Sequence, residues 1–211
     1  MAFGILAVVI GYLLGSIPSA YLATRLAVGK DIRRLGGGNV GGLNVYREVG
    51  FLPAMFAGIV DLGKGAGAVA IAIWLLKVDE PYILATAVAV VVGHNWMLFL
   101  KFSGGKGMGP TIGTLFVLLP FYDYALGLAF FFAVAVILYI ISRNVALSMG
   151  AGILAMPFIA WLGVQSAEFV IYAVVLLVVV AVKFFPTAKP AIARARNLKA
   201  FIFDRGKGEQ R

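Results

Sequence analysis

Long apolar runs separated by short polar segments dominate this chain. Most of them approach the roughly 20 residues that a helix needs to cross a bilayer, and none alternates as a barrel strand does. Because a lone chain in lipid must satisfy its backbone hydrogen bonds internally, we expect every run to be helical. We predict seven transmembrane helices, at 3–24, 51–76, 82–100, 108–120, 124–141, 145–163 and 168–185.

This pattern predicts an all-α integral membrane protein in which residues 1–211 form one polytopic domain. The fourth run is the shortest and begins beside Pro110, so we expect it to be tilted or only partly embedded. In the first run, Ser16-Ile-Pro-Ser-Ala20 resembles a signal-peptide cleavage site. A positively charged segment does not precede that run, so we interpret it as a retained span.

Charged residues are distributed unevenly between the two ends of these helices. Lys and Arg number 18 against nine Asp and Glu, a net charge of +9. If the N-terminus lies outside and Lys64, within the second span, is counted with the inner side, 17 of the 18 cations fall on the cytoplasmic side, the exception being Lys77. The positive-inside rule therefore predicts an outside N-terminus and a cytoplasmic C-terminus with a basic tail at 187–211. We leave open whether the tail is an interfacial helix or a solvated segment.

Composition excludes several kinds of function. The chain is 62% hydrophobic and only 13% charged, whereas globular chains carry about 25% charged residues. Its cations lie in short loops, so we assign them to topology and anionic lipid headgroups rather than to nucleic acid. There is no cysteine and one histidine, which excludes disulfides, a thiolate nucleophile and a multi-histidine metal centre. We expect neither a metal nor a cofactor.

Two glycine-rich basic segments lie between the apolar runs, and we name them the first and second glycine loops. The first spans 33–44 (RRLGGGNVGGLN) and the second spans 101–107 (KFSGGKG). Glycine lets backbone approach a ligand closely, and N–H groups beside cations form pockets for anions such as phosphate. Lys106 stands just before the fourth helix, whose first N–H groups point back at the second loop. Since both loops fall on the cytoplasmic side, they predict a site for a phosphorylated molecule at the membrane surface.

Neither loop fits a nucleotide-binding motif. Gly36, Gly38 and Gly41 have the spacing of the dinucleotide fingerprint, but an apolar helix and a basic linker precede them where a strand is required. Lys106 lacks the upstream glycine and the following Ser or Thr of a P-loop. The alternative for each loop is a turn between helices. We favour ligand binding for the first loop because a turn needs only one or two glycines.

Ionisable residues within predicted spans are costly and usually pair or line a cavity. His94, about two turns inside the third span, is a candidate general base or a hydrogen-bond donor to a phosphate; alternatively, it forms a hydrogen bond that holds neighbouring helices together. Asp61 and Lys64 lie three residues apart on one helical face, which favours an ion pair and a ligand pathway equally. Arg47 lies at the start of the second span, where its guanidinium suits bidentate contact with a phosphate. Alternatively, it only adds to the positive charge on the cytoplasmic side.

Pairs of glycines four residues apart occur in three of the predicted spans. This spacing lets the backbones of two helices approach closely. We therefore predict tight helix contacts at Gly11/Gly15, Gly63/Gly67 and Gly109/Gly113.

Four segments of the chain resemble the bacterial membrane acyltransferases that use acyl phosphate to acylate glycerol 3-phosphate. They are 14–18, 31–47, 61–65 and 93–111, and the likeness extends over most of the chain. The resemblance implies a seven-helix fold in the cell (plasma) membrane, a site facing the cytoplasm and a role in phospholipid synthesis. It also implies that acyl phosphate and glycerol 3-phosphate react to give 1-acyl-glycerol 3-phosphate and phosphate, with membrane lipids as further partners.

The same resemblance gives roles to individual residues. It implies that His94, Lys106 and Arg47 are catalytic. The second loop would bind one phosphate and the first loop the other, while His94 would orient or deprotonate the hydroxyl unless a substrate phosphate oxygen takes the proton. The substrate-binding residues it implies are Asn39, Gly41, Asn44, Lys64, Gly104, Gly105, Gly107 and Asn197.

The chain departs from the family pattern at three places. Gly37 stands where the family has serine, and Gly42-Leu43 replace Ala-Thr, so two hydroxyls are lost. The second loop continues one residue longer, and the motif at 194–198 lacks its Glu. Each lost neutral hydrogen bond weakens phosphate binding by about 0.5–1.5 kcal/mol. These departures leave open a relative with another acceptor or lipid phosphate, and intramembrane charges leave open a non-enzymatic transporter or lipid-binding protein.

Overall fold

The computed structural model describes residues 1–194, with side chains described through residue 186. All regular structure in this range is helical. Short 3-10 turns occur at Ile32–Arg34 and Leu98–Leu100, and π-helical turns at Ile71–Leu75 and Ala160–Val164 extend α4 and α8 of the following list. The helices are α1 Ala2–Gly15, α2 Ser19–Val28, α3 Gly42–Glu48, α4 Phe51–Ala70, α5 Glu80–Asn95, α6 Met108–Phe121, α7 Leu126–Ser142, α8 Val145–Ile159 and α9 Ala167–Arg194.

Within residues 1–194, five helical segments are long and apolar enough to cross a membrane. α6 and α7 are also apolar but shorter, at 14 and 17 residues, and α6 is the run that the sequence marked as short. The all-helical prediction is confirmed for the described residues, while seven spans stay a prediction. The five segments are Ala2–Val28, Phe51–Leu75, Glu80–Leu100, Val145–Val164 and Ala167–Pro186.

The first predicted span consists of two helices rather than one. Helix α1 ends at Gly15 and α2 begins at Ser19, with Pro18 at the break. Proline lacks an N–H and disfavours the helical conformation of the residue before it. The break leaves the carbonyl of Ile17 outside a regular helix, where it accepts a hydrogen bond from the side chain of Lys64 at 3.1 Å.

The chain divides into two compact units, the first covering Met1–Leu118 and the second beginning at Leu119. In the first unit, α1 packs along α5 through its glycines. A Cβ at Gly15 would overlap the carbonyl of Val90, and one at Gly11 would come within 2.9 Å of Thr86. The predicted close contact at Gly11/Gly15 is therefore confirmed.

Helices α4 and α6 of the first unit are also in close contact. A Cβ at Gly113 would overlap the backbone of α4, and one at Gly109 would come within 2.7 Å of Asp61. The predicted contact at Gly63/Gly67 is wrong, because nothing lies within 4 Å of a Cβ built at either position. Gly65 makes the contact with α6 instead. It lies two residues from both Gly63 and Gly67, and residues two positions apart lie on different faces of a helix.

The second unit has its own apolar packing. Phe131 of α7 is fully buried, and its ring would lie 2.9 Å from a Cβ at Gly152 of α8. Asn144 caps α8, because its side-chain oxygen accepts hydrogen bonds from the first backbone N–H groups of that helix. Phe169 of α9 is fully buried and makes an edge contact with Tyr122.

Candidate functional site

An apolar core holds the first glycine loop against the end of α5. Val40 of the loop and Val45 of α3 are fully buried in this core. They pack together with Ile32 before the loop and with Met97 and Leu100, which follow α5. Burial of these side chains fixes the loop from within, and Arg33 of the loop is held by an ion pair of 2.7 Å with Asp31.

The second glycine loop meets the first loop at Gly105. The N–H of Gly105 donates a hydrogen bond to the carbonyl of His94 at 3.1 Å. A Cβ at Gly105 would lie 2.6 Å from the carbonyl oxygen of Val40 and would overlap Nε2 of His94. Only glycine therefore fits where the two loops and His94 converge. This convergence confirms that the two loops lie together.

His94 lies in the last turn of α5, which ends at Asn95. The candidate span Glu80–Leu100 continues beyond the end of α5, so the depth of His94 in the membrane stays a prediction. The residue is only 2% exposed. One ring nitrogen, Nδ1, lies 3.3 Å from Oδ1 of Asp61, and the other faces Gly105.

Asp61 collects donors from two helices. Its Oδ1 accepts a hydrogen bond of 2.6 Å from the hydroxyl of Ser19 and forms an ion pair of 2.8 Å with Nζ of Lys64. Lys64 also donates to the carbonyl of Ile17. The predicted ion pair is thus confirmed and two donors of Lys64 are used inside the protein, while its contact with a substrate stays a prediction.

Two cations lie beside the loops. Lys106 is half-buried, and this burial lowers the pKa of Lys106 below that of an ordinary lysine; the nearby positive charge of Arg47 lowers the pKa further. Arg47 lies on α3, a seven-residue helix that the sequence reasoning did not predict. Two like charges held close together favour an anion between them. The structure therefore brings Arg47 and Lys106 together, as the phosphate hypothesis requires.

The two asparagines of the first loop differ in their surroundings. Asn44 is buried, and its Nδ2 donates to the carbonyls of Leu35 and Asn39 at 3.1 and 3.0 Å. Its amide therefore holds the loop in shape. Asn39 is partly exposed, and its Nδ2 would lie 2.9 Å from a Cβ at Gly41. Asn197 lies outside the described residues.

Glycine is also required elsewhere in the second loop. A Cβ at Gly104 would come within 2.5 Å of the carbonyl of Asn95. Gly107 has a φ of +79°, a left-handed conformation that favours glycine, and it lies beside the amide of Asn95. Helix α6 begins directly afterwards at Met108, as predicted, so its first N–H groups face the loop.

Comparison with known proteins decides the family. Residues 5–194 match the family described as Glycerol-3-phosphate acyltransferase. The chain belongs to this family. It is 40% identical over 202 residues to glycerol-3-phosphate acyltransferase 1 of Dehalococcoides mccartyi, covering 96% of this chain and 97% of the relative. It is 38% identical over 181 residues to the glycerol-3-phosphate acyltransferase of Thermosynechococcus vestitus, covering 82% and 83%.

Solved structures of this acyltransferase family have the same fold. PlsY, an integral membrane glycerol 3-phosphate acyltransferase, matches in its glycerol 3-phosphate form with a TM-score of 0.78 and 25% identity, covering 90% of this chain and 92% of that one. Its lysophosphatidic acid form matches with a TM-score of 0.76 and 24% identity, which shows the fold alone. The resemblance inferred from the sequence is confirmed, and the chain is a membrane protein of the acyltransferase family.

The candidate site contains polar residues that sequence reasoning missed. Asn95 and Thr111 are fully buried, and their side-chain polar atoms have no hydrogen-bond partner among the described residues. Both lie beside the second loop, where Thr111 donates its backbone N–H to Gly107 at 3.0 Å. In the sequence, the only feature that pointed to these two residues was their place in segment 93–111. No sequence feature pointed to Ser19, because only the folded chain brings it to Asp61.

Proposed function

We propose that this protein transfers an acyl group from acyl phosphate to the hydroxyl of glycerol 3-phosphate, giving 1-acyl-glycerol 3-phosphate (lysophosphatidic acid) and phosphate. The relatives' names support the acceptor, and the two ligand forms of PlsY support the acceptor and the product. One observation carries the proposal: the two glycine loops converge on His94, with Lys106 beside Arg47.

The site suits a donor that already carries a good leaving group. Phosphate departs from an acyl phosphate without a covalent enzyme intermediate, so a chain without cysteine suffices. The protein has to hold two anionic substrates with their reacting atoms in contact. Such positioning contributes roughly 7–11 kcal/mol to lowering the barrier, and fixed cations and N–H groups stabilise the charge that develops.

The two loops divide the binding work in this proposal. Lys106 and the backbone of Gly104, Gly105 and Gly107 bind one phosphate. Arg47 binds the other phosphate together with the first loop, in which the side chain of Asn39 and the backbone of Gly41 take part while Asn44 holds the loop in shape. Lys64 balances the buried carboxylate behind the site, and Asn197 supplies a further contact.

Proton transfer falls to His94. The hydroxyl oxygen of the acceptor attacks the acyl carbon as its proton passes to Nε2 of the imidazole. The bond between the acyl carbon and the phosphate oxygen then breaks, and phosphate leaves with the electron pair. The imidazole returns the proton to the departing phosphate, which balances the reaction and restores His94. A substrate phosphate oxygen that takes the proton directly is the alternative route.

The proposed topology has seven transmembrane helices in one domain, an outside N-terminus and a cytoplasmic C-terminus with the basic tail at 187–211. The charge asymmetry supports it, since 17 of 18 cations fall on one side. Both glycine loops then face the cytoplasm at the plasma membrane, where water-soluble glycerol 3-phosphate and membrane-bound acyl phosphate are able to meet.

Phosphate release from palmitoyl phosphate by the purified protein in detergent tests this function. We expect release only when glycerol 3-phosphate is added, and we expect Lys106→Ala to abolish it. Lys77→Ala is the matched control, because it removes a lysine on the predicted outer side and should keep wild-type activity. Absence of release with the wild-type protein, or full release with Lys106→Ala, would contradict the proposal.

A second acceptor is the alternative that the first loop supports. Gly37 is exposed with nothing within 4 Å of a Cβ built on it, and Leu43 is 40% exposed, so the hydroxyls of the family pattern are absent from an open part of the loop. A screen of acceptors with palmitoyl phosphate held constant separates the two. If glycerol 3-phosphate is the best acceptor, the alternative is wrong.

A further inference from the structure

We propose that the turn at 98–102, which leads into the second glycine loop, is a membrane anchor, and we name it the anchor turn. It inserts its exposed phenylalanines among the lipid headgroups and places Lys101 against anionic phosphates there. The inference goes beyond the proposed function and rests on it only for the membrane face that the glycine loops occupy. Anchoring holds the second loop at the depth where a membrane-bound acyl donor presents its phosphate.

One side of the anchor turn is fixed inside the protein. Met97 and Leu100 are 0% and 4% exposed, and they pack in the core that holds the first glycine loop. Side chains three residues apart lie on the same face of a 3-10 turn. The residues between them, Leu98 and Phe99, lie on the other side and are 44% and 62% exposed.

The chain then reverses through two residues in the left-handed conformation. Lys101 has a φ of +53° and Phe102 a φ of +59°, where the Cβ of any residue but glycine crowds the following carbonyl oxygen. The N–H of Phe102 donates to the carbonyl of Met97 at 2.9 Å, and the N–H of Ser103 donates to the carbonyl of Leu100 at 3.1 Å. These hydrogen bonds hold a conformation that leaves Lys101 and Phe102 exposed.

Neither the exposed rings nor the strained backbone is favourable in water. Apolar side chains are stabilised by leaving water, and a strained backbone conformation persists only where its surroundings compensate for it. The interface of a bilayer takes up apolar side chains below the headgroups and attracts lysine to anionic lipid. Phe99, Lys101 and Phe102 supply both kinds of contact within four residues.

The position of the anchor turn favours a lipid surface over a second copy of the chain or a soluble partner. The candidate membrane span Glu80–Leu100 ends within the turn, so the rings lie where that span reaches the membrane surface. Lys and Arg concentrate on this side of the spans in the proposed topology. This positive charge complements the negative surface of the cytoplasmic leaflet.

The anchor turn is joined closely to the second glycine loop. Only Ser103 separates Phe102 from Gly104, and a Cβ at Gly104 would come within 2.5 Å of the carbonyl of Asn95. The next residue, Gly105, donates its N–H to the end of α5. Because the loop is fixed on both sides, the depth of the rings in the membrane sets the depth of the loop.

Spin labelling measures the depth of the anchor turn directly. The chain has no cysteine, so Phe102→Cys gives a single site for a nitroxide in the full-length protein. In nanodiscs of phosphatidylcholine and phosphatidylglycerol, we expect the nitroxide to lie about 5–10 Å into the boundary between headgroups and acyl chains. There it is more accessible to oxygen than to a water-soluble nickel chelate. Phe99→Cys should give the same result and replaces Phe102→Cys if that variant does not fold.

Two further labelled positions calibrate the depth. Gly37→Cys adds a side chain to the first glycine loop where nothing lies within 4 Å, and its label should be fully accessible to the chelate. Ile59 is 60% exposed in the middle of α4, and a label on Ile59→Cys should lie in the hydrocarbon. A label at 102 as accessible to the chelate as the one at 37 would overturn the proposal. A label shielded from both reagents would also overturn it, since protein rather than lipid would then cover the turn.

Lipid composition tests the part played by Lys101. Removal of phosphatidylglycerol should move the label at 102 toward water, and adding Lys101→Gln should make its depth independent of composition. Lys77→Gln is the matched control and should keep the dependence. A depth that ignores composition in the presence of Lys101, or that responds equally in Lys101→Gln, would contradict the proposal. Depth is measured without acyl transfer, so a protein inactive as an acyltransferase would refute the proposed function and not the anchor.

Discussion

Gly105→Ala is the substitution that tests most sharply whether the two glycine loops form one site. The added Cβ would lie 2.6 Å from the Val40 carbonyl and would overlap Nε2 of His94. Ordinary contact begins at 3.4 Å, so the loops and the ring must separate by roughly 0.8–1.2 Å. A misplacement of about 1 Å costs about 100-fold in rate, which corresponds to about 2.7 kcal/mol of transition-state stabilisation. We therefore expect kcat/KM to fall about 100-fold.

The assay is phosphate release from palmitoyl phosphate in the presence of glycerol 3-phosphate. Gly37→Ala is the matched control, since it adds the same methyl group to the first loop where nothing lies within 4 Å. It should keep activity close to wild type. Thermal unfolding in detergent checks that Gly105→Ala is folded. Wild-type activity in a folded Gly105→Ala protein, or an equal loss in Gly37→Ala, would refute the convergence of the loops as the basis of the site.

Three further predictions follow from single side chains. Burial and the charge of Arg47 lower the pKa of Lys106. As the pH rises, the positive charge of Lys106 and with it kcat/KM should therefore be lost at a lower pH than for an ordinary lysine. Arg47→Gln should move this alkaline limb of the pH profile to higher pH, and a limb that does not move would contradict the prediction. Gly37→Ser should lower the KM of one phosphate substrate by up to about tenfold, as one added hydrogen bond of about 0.5–1.5 kcal/mol allows, and an unchanged KM for both substrates is the opposing result. Gly15→Ala should destabilise the fold by about 1–3 kcal/mol through overpacking, seen as a lower Tm, whereas Gly63→Ala should not; equal Tm values would contradict the packing described for α1.

The helical architecture was predictable because apolar runs and charged boundaries act locally. The run near 51–76 became α4 with its π-helical extension, and the run near 145–163 became α8 with another. Hydropathy does not report backbone breaks, so the interruption at Pro18 was missed although the proline is visible in the sequence. The end of α5 at Asn95 was missed for the same reason, since Met97 and Leu100 continue the apolar run inside a different structure.

The candidate site was predictable only as far as local spacing reaches. Asp61 and Lys64 are three residues apart on one helix, so their ion pair follows from helical geometry. The contacts of Asp61 with Ser19 and His94 join residues that are far apart in sequence, and no local pattern gives them. Asn44 shows the opposite kind of error, in which sequence reasoning assigns a contact that is already used within the protein. Its residue type suggested a ligand contact, whereas its Nδ2 holds the loop together.

The central claim is that the enclosed site joins an acyl group from acyl phosphate to glycerol 3-phosphate. Purified protein with palmitoyl phosphate and labelled glycerol 3-phosphate tests it when both products are measured in the same reaction. We predict 1-acyl-glycerol 3-phosphate and phosphate in equal amounts, with neither formed when the acceptor is omitted. Phosphate released at the same rate without glycerol 3-phosphate, or with no acylated product, would contradict the account.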